Sequence, residues 1–270
     1  MNIRTLASLS AALVAVALVS LPHTARATIV DLTTGLDASG EINGALFFAT
    51  DQQPAGTGYI DSFLRVQNNG FEQGYNTDGG FPFDDKTPHN YQHSLLLSDL
   101  LPFDLNGTAY YKFYLDSNQN GPSEHFFSLD RLQIYTSNNP NITSETFSTD
   151  ASGLRTLPLG HLAYTLNKNN GTGDYVITTA IGSGHHDAIV YVPVSDFNQS
   201  DRYVYLYMAG GDHIQTSGGF EEWTAVLGVA PIPEVTPSSV IFGFLGLIVA
   251  FGSRRALGAR VRAVTARRIK

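Results

Sequence analysis

Two short stretches of this 270-residue chain carry side chains from which a site could be built. The first is Asp116-Ser117-Asn118-Gln119-Asn120-Gly121. Asp-x-Asn-x-Asn-Gly opens a calcium loop: oxygens at alternate positions curl round a hard cation, and glycine permits the sharp turn. The twelfth position holds Phe127 where that loop has a bidentate glutamate, so Glu124 or Asp130 would have to complete the shell. The same residues also read as a hairpin loop whose Asp and Asn side chains bond their own backbone. The second stretch is Glu221-Glu222-Trp223. Adjacent strand residues point to opposite faces, so only one of these glutamates can face a given partner. A glycosidase needs two carboxylates about 5–9 Å apart beside a sugar-stacking ring, and no second carboxylate can be located from spacing.

Tyr203, Tyr205 and Tyr207 alternate with Val204, Leu206 and Met208. A wet tyrosine face would be a platform on which sugar rings stack; a half-buried one simply suits a sheet. With Trp223, these tyrosines are the candidate glycan contacts. His89 and His93 are four apart, but they lie in a loop leading into a strand, and His185-His186-Asp187 falls in a turn. Neither makes a zinc pattern. There is no nucleophile elbow, phosphate-cradling glycine loop or dinucleotide fingerprint. Without cysteine the chain has no disulfide, iron–sulfur cluster or thiol nucleophile. The expectation is a protein that is not an enzyme, with calcium as its one candidate cofactor.

The elements that would position these residues are short strands. Thr108 to Leu115 puts Tyr111, Phe113 and Leu115 on one face and Tyr110, Lys112 and Tyr114 on the other. Phe126 to Tyr135 places Leu132 and Ile134 together, and Asn68-Asn69-Gly70 after Tyr59–Val66 predicts a tight turn. Further strands are expected at 42–48, 93–97, 161–166, 175–181, 188–194, 203–208 and 220–227, with loops at 137–143 and 167–173. No window sustains a helical apolar stripe. About ten alternating strands within residues 28–230 predict an all-β fold, an antiparallel β-sandwich or jelly roll.

Charge separates that body from its ends. Residues 28–233 hold 7 basic against 23 acidic side chains, a balance of −16 that repels phosphate backbones and excludes nucleic acid as a partner. Arg4, the apolar run from Leu6 to Leu21 and Ala25-Arg26-Ala27 predict a signal peptide over residues 1–27, cut before Thr28 by signal peptidase. At the other end, residues 231–237 are a proline-rich spacer before an apolar segment, 238–253, which Arg254-Arg255 follow. Sixteen helical residues span about 24 Å, enough for a thinned bilayer. The arginines predict a cytoplasmic C-terminus with the acidic body outside.

Pro233-Glu234, the short span and Arg254-Arg255 together resemble the PEP-CTERM sorting signal. The resemblance departs at Val235, where that family usually has proline, and in a basic tail of 15 residues after Arg255. It implies processing by an exosortase-type transpeptidase near Pro233-Glu234, and an association with exopolysaccharide production. Residues 60–76, 111–120, 128–134 and 220–223 also resemble a β-rich domain recurrent among such proteins, for which no activity is implied. The expected function is that of an exported surface or extracellular-matrix protein with a structural or adhesive role. The alternatives are a carbohydrate-binding module and a carbohydrate-active enzyme using Glu221 or Glu222.

Overall fold

The computed structural model describes residues 26–52, 61–85, 91–120, 125–168, 173–180 and 184–228. Residues 1–25 of the leader, the span at 238–253, and the sorting residues Pro233, Glu234, Arg254 and Arg255 lie outside the described residues. So do Tyr59, Ile60, His89 and Glu124. Among the described residues no helix is long and apolar enough to cross a membrane.

The first strands in chain order are β1 (Ile29–Asp31), β2 (Ser39–Ile42), β3 (Ala45–Ala49), β4 (Leu64–Val66), β5 (Asn69–Gly70) and β6 (Glu72–Tyr75). Next come β7 (Leu95–Leu96), β8 (Phe103–Leu105), β9 (Thr108–Ser117), β10 (Phe126–Ser137), β11 (Ser148–Thr149) and β12 (Arg155–Thr156). The last are β13 (His161–Thr165), β14 (Tyr175–Thr179), β15 (Ala188–Pro193), β16 (Tyr203–Gly210), β17 (Thr216–Ser217) and β18 (Glu221–Ala225). One seven-stranded sheet runs β1-β14-β10-β16-β6, with β13 beside β10 and β7 beside β16. The other runs β2-β3-β15-β9-β18-β4, with β8 beside β9. The small ladders β5–β17 and β11–β12 complete an all-β fold.

Period-two alternation explains why the two sheets share one core. Tyr111, Phe113 and Leu115 of β9, Val190 and Val192 of β15 and Trp223 of β18 face Leu129, Leu132 and Ile134 of β10 and Val204, Leu206 and Met208 of β16. All are buried. Their removal from water supplies the main drive for folding, at about 25 cal/mol per Å² of apolar surface.

Three strand expectations need correction. Residues 42–48 are two strands: Asn43 (φ 55°) and Gly44 (φ 92°) turn the chain between β2 and β3, an Asn-Gly hairpin. Asn69-Gly70 does bend the chain, with Gly70 at φ 84°, but it also pairs with β17. Pairing is not wholly antiparallel, because β1 runs parallel to β14 with Ile29 opposite Tyr175. The eighteen strands among the described residues exceed the expected ten because several are only two or three residues long.

Candidate functional site

Glu221 and Glu222 occupy the same strand and enter different surroundings, as alternation requires. Glu222 pairs across the sheet with Asp116 on one side and Arg65 on the other. Extending the β9–β15 ladder by one residue sets Asp187 beside Asp116, where the Asp187 amide donates to the Leu115 carbonyl. The result is a row across four chain segments: Arg65, Glu222, Asp116, Asp187. A guanidinium nitrogen of Arg65 lies 3.6 Å from the Glu222 carboxylate, and its plane sits between the Tyr91 and Phe220 rings. Arg65 thus meets the first carboxylate of the row, and among the described residues no ion pair reaches Asp116 or Asp187.

The carboxylates are also dry. Asp116 is only 2 % exposed, and neither of its oxygens meets a partner in hydrogen-bonding geometry. Burial first, then the charges of Asp187 and Glu222, push its pKa up to about 7, with the nearby Gly184 amide acting weakly in the opposite sense. Asp187 accepts from the Ser117 amide at 2.8 Å and from the Thr179 hydroxyl at 2.9 Å, yet burial still raises it to about 7. Beside it opens a pocket of about 240 Å³, lined by Leu36, Thr50, Asp51, Thr179, His185 and Asp187. His186, buried and packed at a tilt against the Tyr114 ring, is held neutral, its pKa lowered by burial to about 4.

Glu221 turns inward and meets Glu72 of β6, so the two carboxyls link the two sheets. Both are wholly buried. Gln119 donates to Glu221 at 2.5 Å and the Asn68 amide donates to Glu72 at 3.0 Å. The remaining oxygens, Glu72 Oε1 and Glu221 Oε2, have no other donor. Burial raises Glu72 to about 7 and Glu221 well above the usual carboxylate range, the latter further by the charge of Glu72. Burial therefore favours the protonated form of the pair, whose two carboxyls titrate together. Glu72 lies 149 residues from Glu221 in the chain, so no local spacing announces it.

The four residues expected to form a calcium shell are divided. Asp116 belongs to the acid row, while Asn118 and Asn120 follow β9, with the Asn120 amide bonded to the Ser217 hydroxyl. Asp130 is on the other sheet, at the extra residue of a β-bulge between Leu129 and Arg131. Its oxygens accept from the Ser128 hydroxyl, the Asp212 amide and His213 Nδ1–H, whose ring stacks on Tyr175 at 3.7 Å. Among the described residues no three carboxylate or imidazole groups converge to hold a metal ion. Asp116 and Asp130 thus stand on different sheets, and Asp130 is already engaged by His213.

The expected sugar platforms are covered. Trp223 is wholly buried in the core, opposite Leu115. The tyrosine face of β16 forms a second core on the outside of its sheet, under the segment 138–160. Tyr205 and Tyr207 have no exposed surface, and Tyr203 is half-buried against them. The Tyr205 hydroxyl donates to the Asn139 carbonyl and accepts from the Ile142 amide, and Tyr207 donates to Gln73. These rings hold down a loop. A sugar cannot reach Trp223, Tyr205 or Tyr207 in this arrangement.

Exposed aromatic and apolar surface lies elsewhere, on the outer face of the β9 sheet. Phe103, Tyr110 and Phe48 surround Tyr191 at 5.4–6.1 Å, and Lys112 Nζ stands 4.5 Å over Phe103. Sequence alternation already put Tyr110 and Lys112 on that face; what it missed was that Phe103 and Tyr191 join them through pairing. No family model, no curated protein and no solved structure matches the chain.

Proposed function

We propose that the chain is an exported, membrane-tethered precursor of a surface or extracellular-matrix protein, and that its β body has a structural or adhesive role without catalysis. The observation that carries this reading is the order of the C-terminal segment. A proline spacer with Pro233-Glu234, an apolar run at 238–253 and Arg254-Arg255 follow an acidic body directly. That order suits a body outside the membrane with a basic cytoplasmic tail, and a processing enzyme of the exosortase type acting near Pro233-Glu234. Signal peptidase would act at the other end. The acidic body suits neutral polysaccharide better than nucleic acid. A jelly roll is the finer architecture we assign to the body.

Two features support a non-catalytic role. Glu221 is locked to Glu72 inside the body, and Glu222 is engaged by Arg65. The carbohydrate-binding alternative loses the platform on which it rested, since Trp223 and two of the three tyrosines have no exposed surface. The tether is tested by alkaline carbonate extraction of membranes from cells making the full chain or a variant lacking 238–253. The full chain should stay with the membrane and the deletion variant should leave it. A full chain that extracts completely would defeat the reading.

A further inference from the structure

Where the body ends, its surface changes character. The last described residues run antiparallel to the segment before β8: the Leu101 amide donates to the Val226 carbonyl, Leu100 bridges Leu227, and the Gly228 amide donates to the Asp99 carbonyl. Leu101 and Phe103, two apart in an extended segment, share a face. They are 50 % and 42 % exposed, and Leu227, at the rim of the same end, is 39 % exposed. Tyr110, Lys112 and Tyr191 continue that face over β9 and β15. Leucines in water, aromatic rings with a polar tip, and a lysine whose ammonium stands over those rings make the composition of a membrane interface.

The chain's own order says what lies next to this patch. Nine residues, 229–237, separate Gly228 from the apolar segment 238–253, a reach of about 30 Å at full extension. The buried acids are at the other end: Asp187 pairs with the Leu115 end of β9, five residues beyond the Tyr110 that faces Phe103, or about 17 Å along the strand. We infer that the face carrying Leu101, Phe103, Tyr110, Lys112 and Tyr191 rests on the lipid surface into which 238–253 inserts, so that the body is held in one orientation. This rests on the tethered reading above, and it adds a specific contact which that reading does not require.

The chain has no cysteine, so single cysteines can report position. Full-length Leu101→Cys, Phe103→Cys, Leu36→Cys and Leu245→Cys are each labelled with an environment-sensitive fluorophore. They are then reconstituted in phosphatidylcholine–phosphatidylglycerol vesicles with and without brominated lipid. Leu36 is 63 % exposed and lines the pocket beside Asp187, so it marks the distal end; Leu245 marks the anchor. The mutated body residues are exposed, and emission of the buried Trp223 checks each fold. Brominated lipid should quench labels at 245, 101 and 103 several-fold more than at 36. Quenching at 245 with none at 101 and 103 overturns the contact and spares the tether. No quenching at 245 overturns the tether itself. Labels at 101 and 103 shielded from both brominated lipid and aqueous iodide would put a protein segment there instead, and also overturn the proposal.

Discussion

Replacing Asp116 by asparagine should make the protein more stable at alkaline pH, although it removes a buried native side chain. Asp116 moves from 3.8 to about 7 on folding because burial and two neighbouring carboxylates disfavour its ionised form. Between those values the native state holds a proton that the unfolded chain has released, so stability falls as pH rises through the window. Three units correspond to about 4 kcal/mol at 1.36 kcal/mol per unit. Coupled titration with Asp187 and relaxation of the surroundings reduce that, and about 2 kcal/mol is the figure to expect. Asparagine has the shape of the neutral acid and never ionises. Asp187 and Glu72 add slopes of the same sign, while His186, lowered to about 4, adds one of opposite sign. Subtracting wild type from Asp116→Asn removes most of those contributions. Urea titrations at pH 4 to 8, followed by emission of the single, fully buried tryptophan, give the difference directly. It should rise by about 2 kcal/mol toward pH 8, equivalent to about 4–8 °C in melting temperature. A flat difference, or a variant less stable than wild type at pH 8, would refute the account of the acid row.

Other consequences can be checked with the same assays. Trp223→Ala empties the centre of the core and should cost about 3–5 kcal/mol in urea unfolding followed by far-UV circular dichroism, since the variant keeps no tryptophan; a fully stable variant would contradict its inward placement. Tyr205→Phe removes a hydroxyl that bridges Asn139 and Ile142, with an expected cost of about 1–2 kcal/mol in urea unfolding. An unchanged midpoint would mean that the 138–147 cover is held by packing alone. Calcium held at the 116–120 stretch would raise the wild-type melting temperature at pH 8, where Asp116 is ionised, more than at pH 5, where a proton occupies it. Asp116→Asn should blunt that gain. Equal curves with calcium and chelator at pH 8 would remove calcium from the description.

How far the sequence could be read depended on whether a feature was local. The inward faces of β9 and β10 follow from alternation, because each strand must bury one side. The same rule sorted the tyrosines of β16 from Val204, Leu206 and Met208 correctly. It failed on exposure, because the cover comes from Ile142, Phe147, Leu157 and Leu159, apolar residues scattered among polar ones at and beyond the expected 137–143 loop. Ile42–Phe48 looked continuous because apolar residues flank Asn43-Gly44; the turn signal lay inside the run. The Glu72–Glu221 pair and the Arg65–Glu222–Asp116–Asp187 row depend on which strands become neighbours, and that information is not present in any window. Asp130 was drawn to Asp116 by spacing alone, whereas a bulge turned it toward His213.

The central claim is that this chain is exported, tethered and sorted, and the most direct test is intact mass. The protein should be purified from the cell envelope and from the medium of its native host. The account predicts an envelope species beginning at Thr28, and a processed species that begins there and ends near Glu234. A mature protein that retains Met1, or one found only in the cytoplasm at full length, would contradict it. A species that starts at Thr28 and keeps Lys270 in every fraction would leave the tether standing and rule out the processing step.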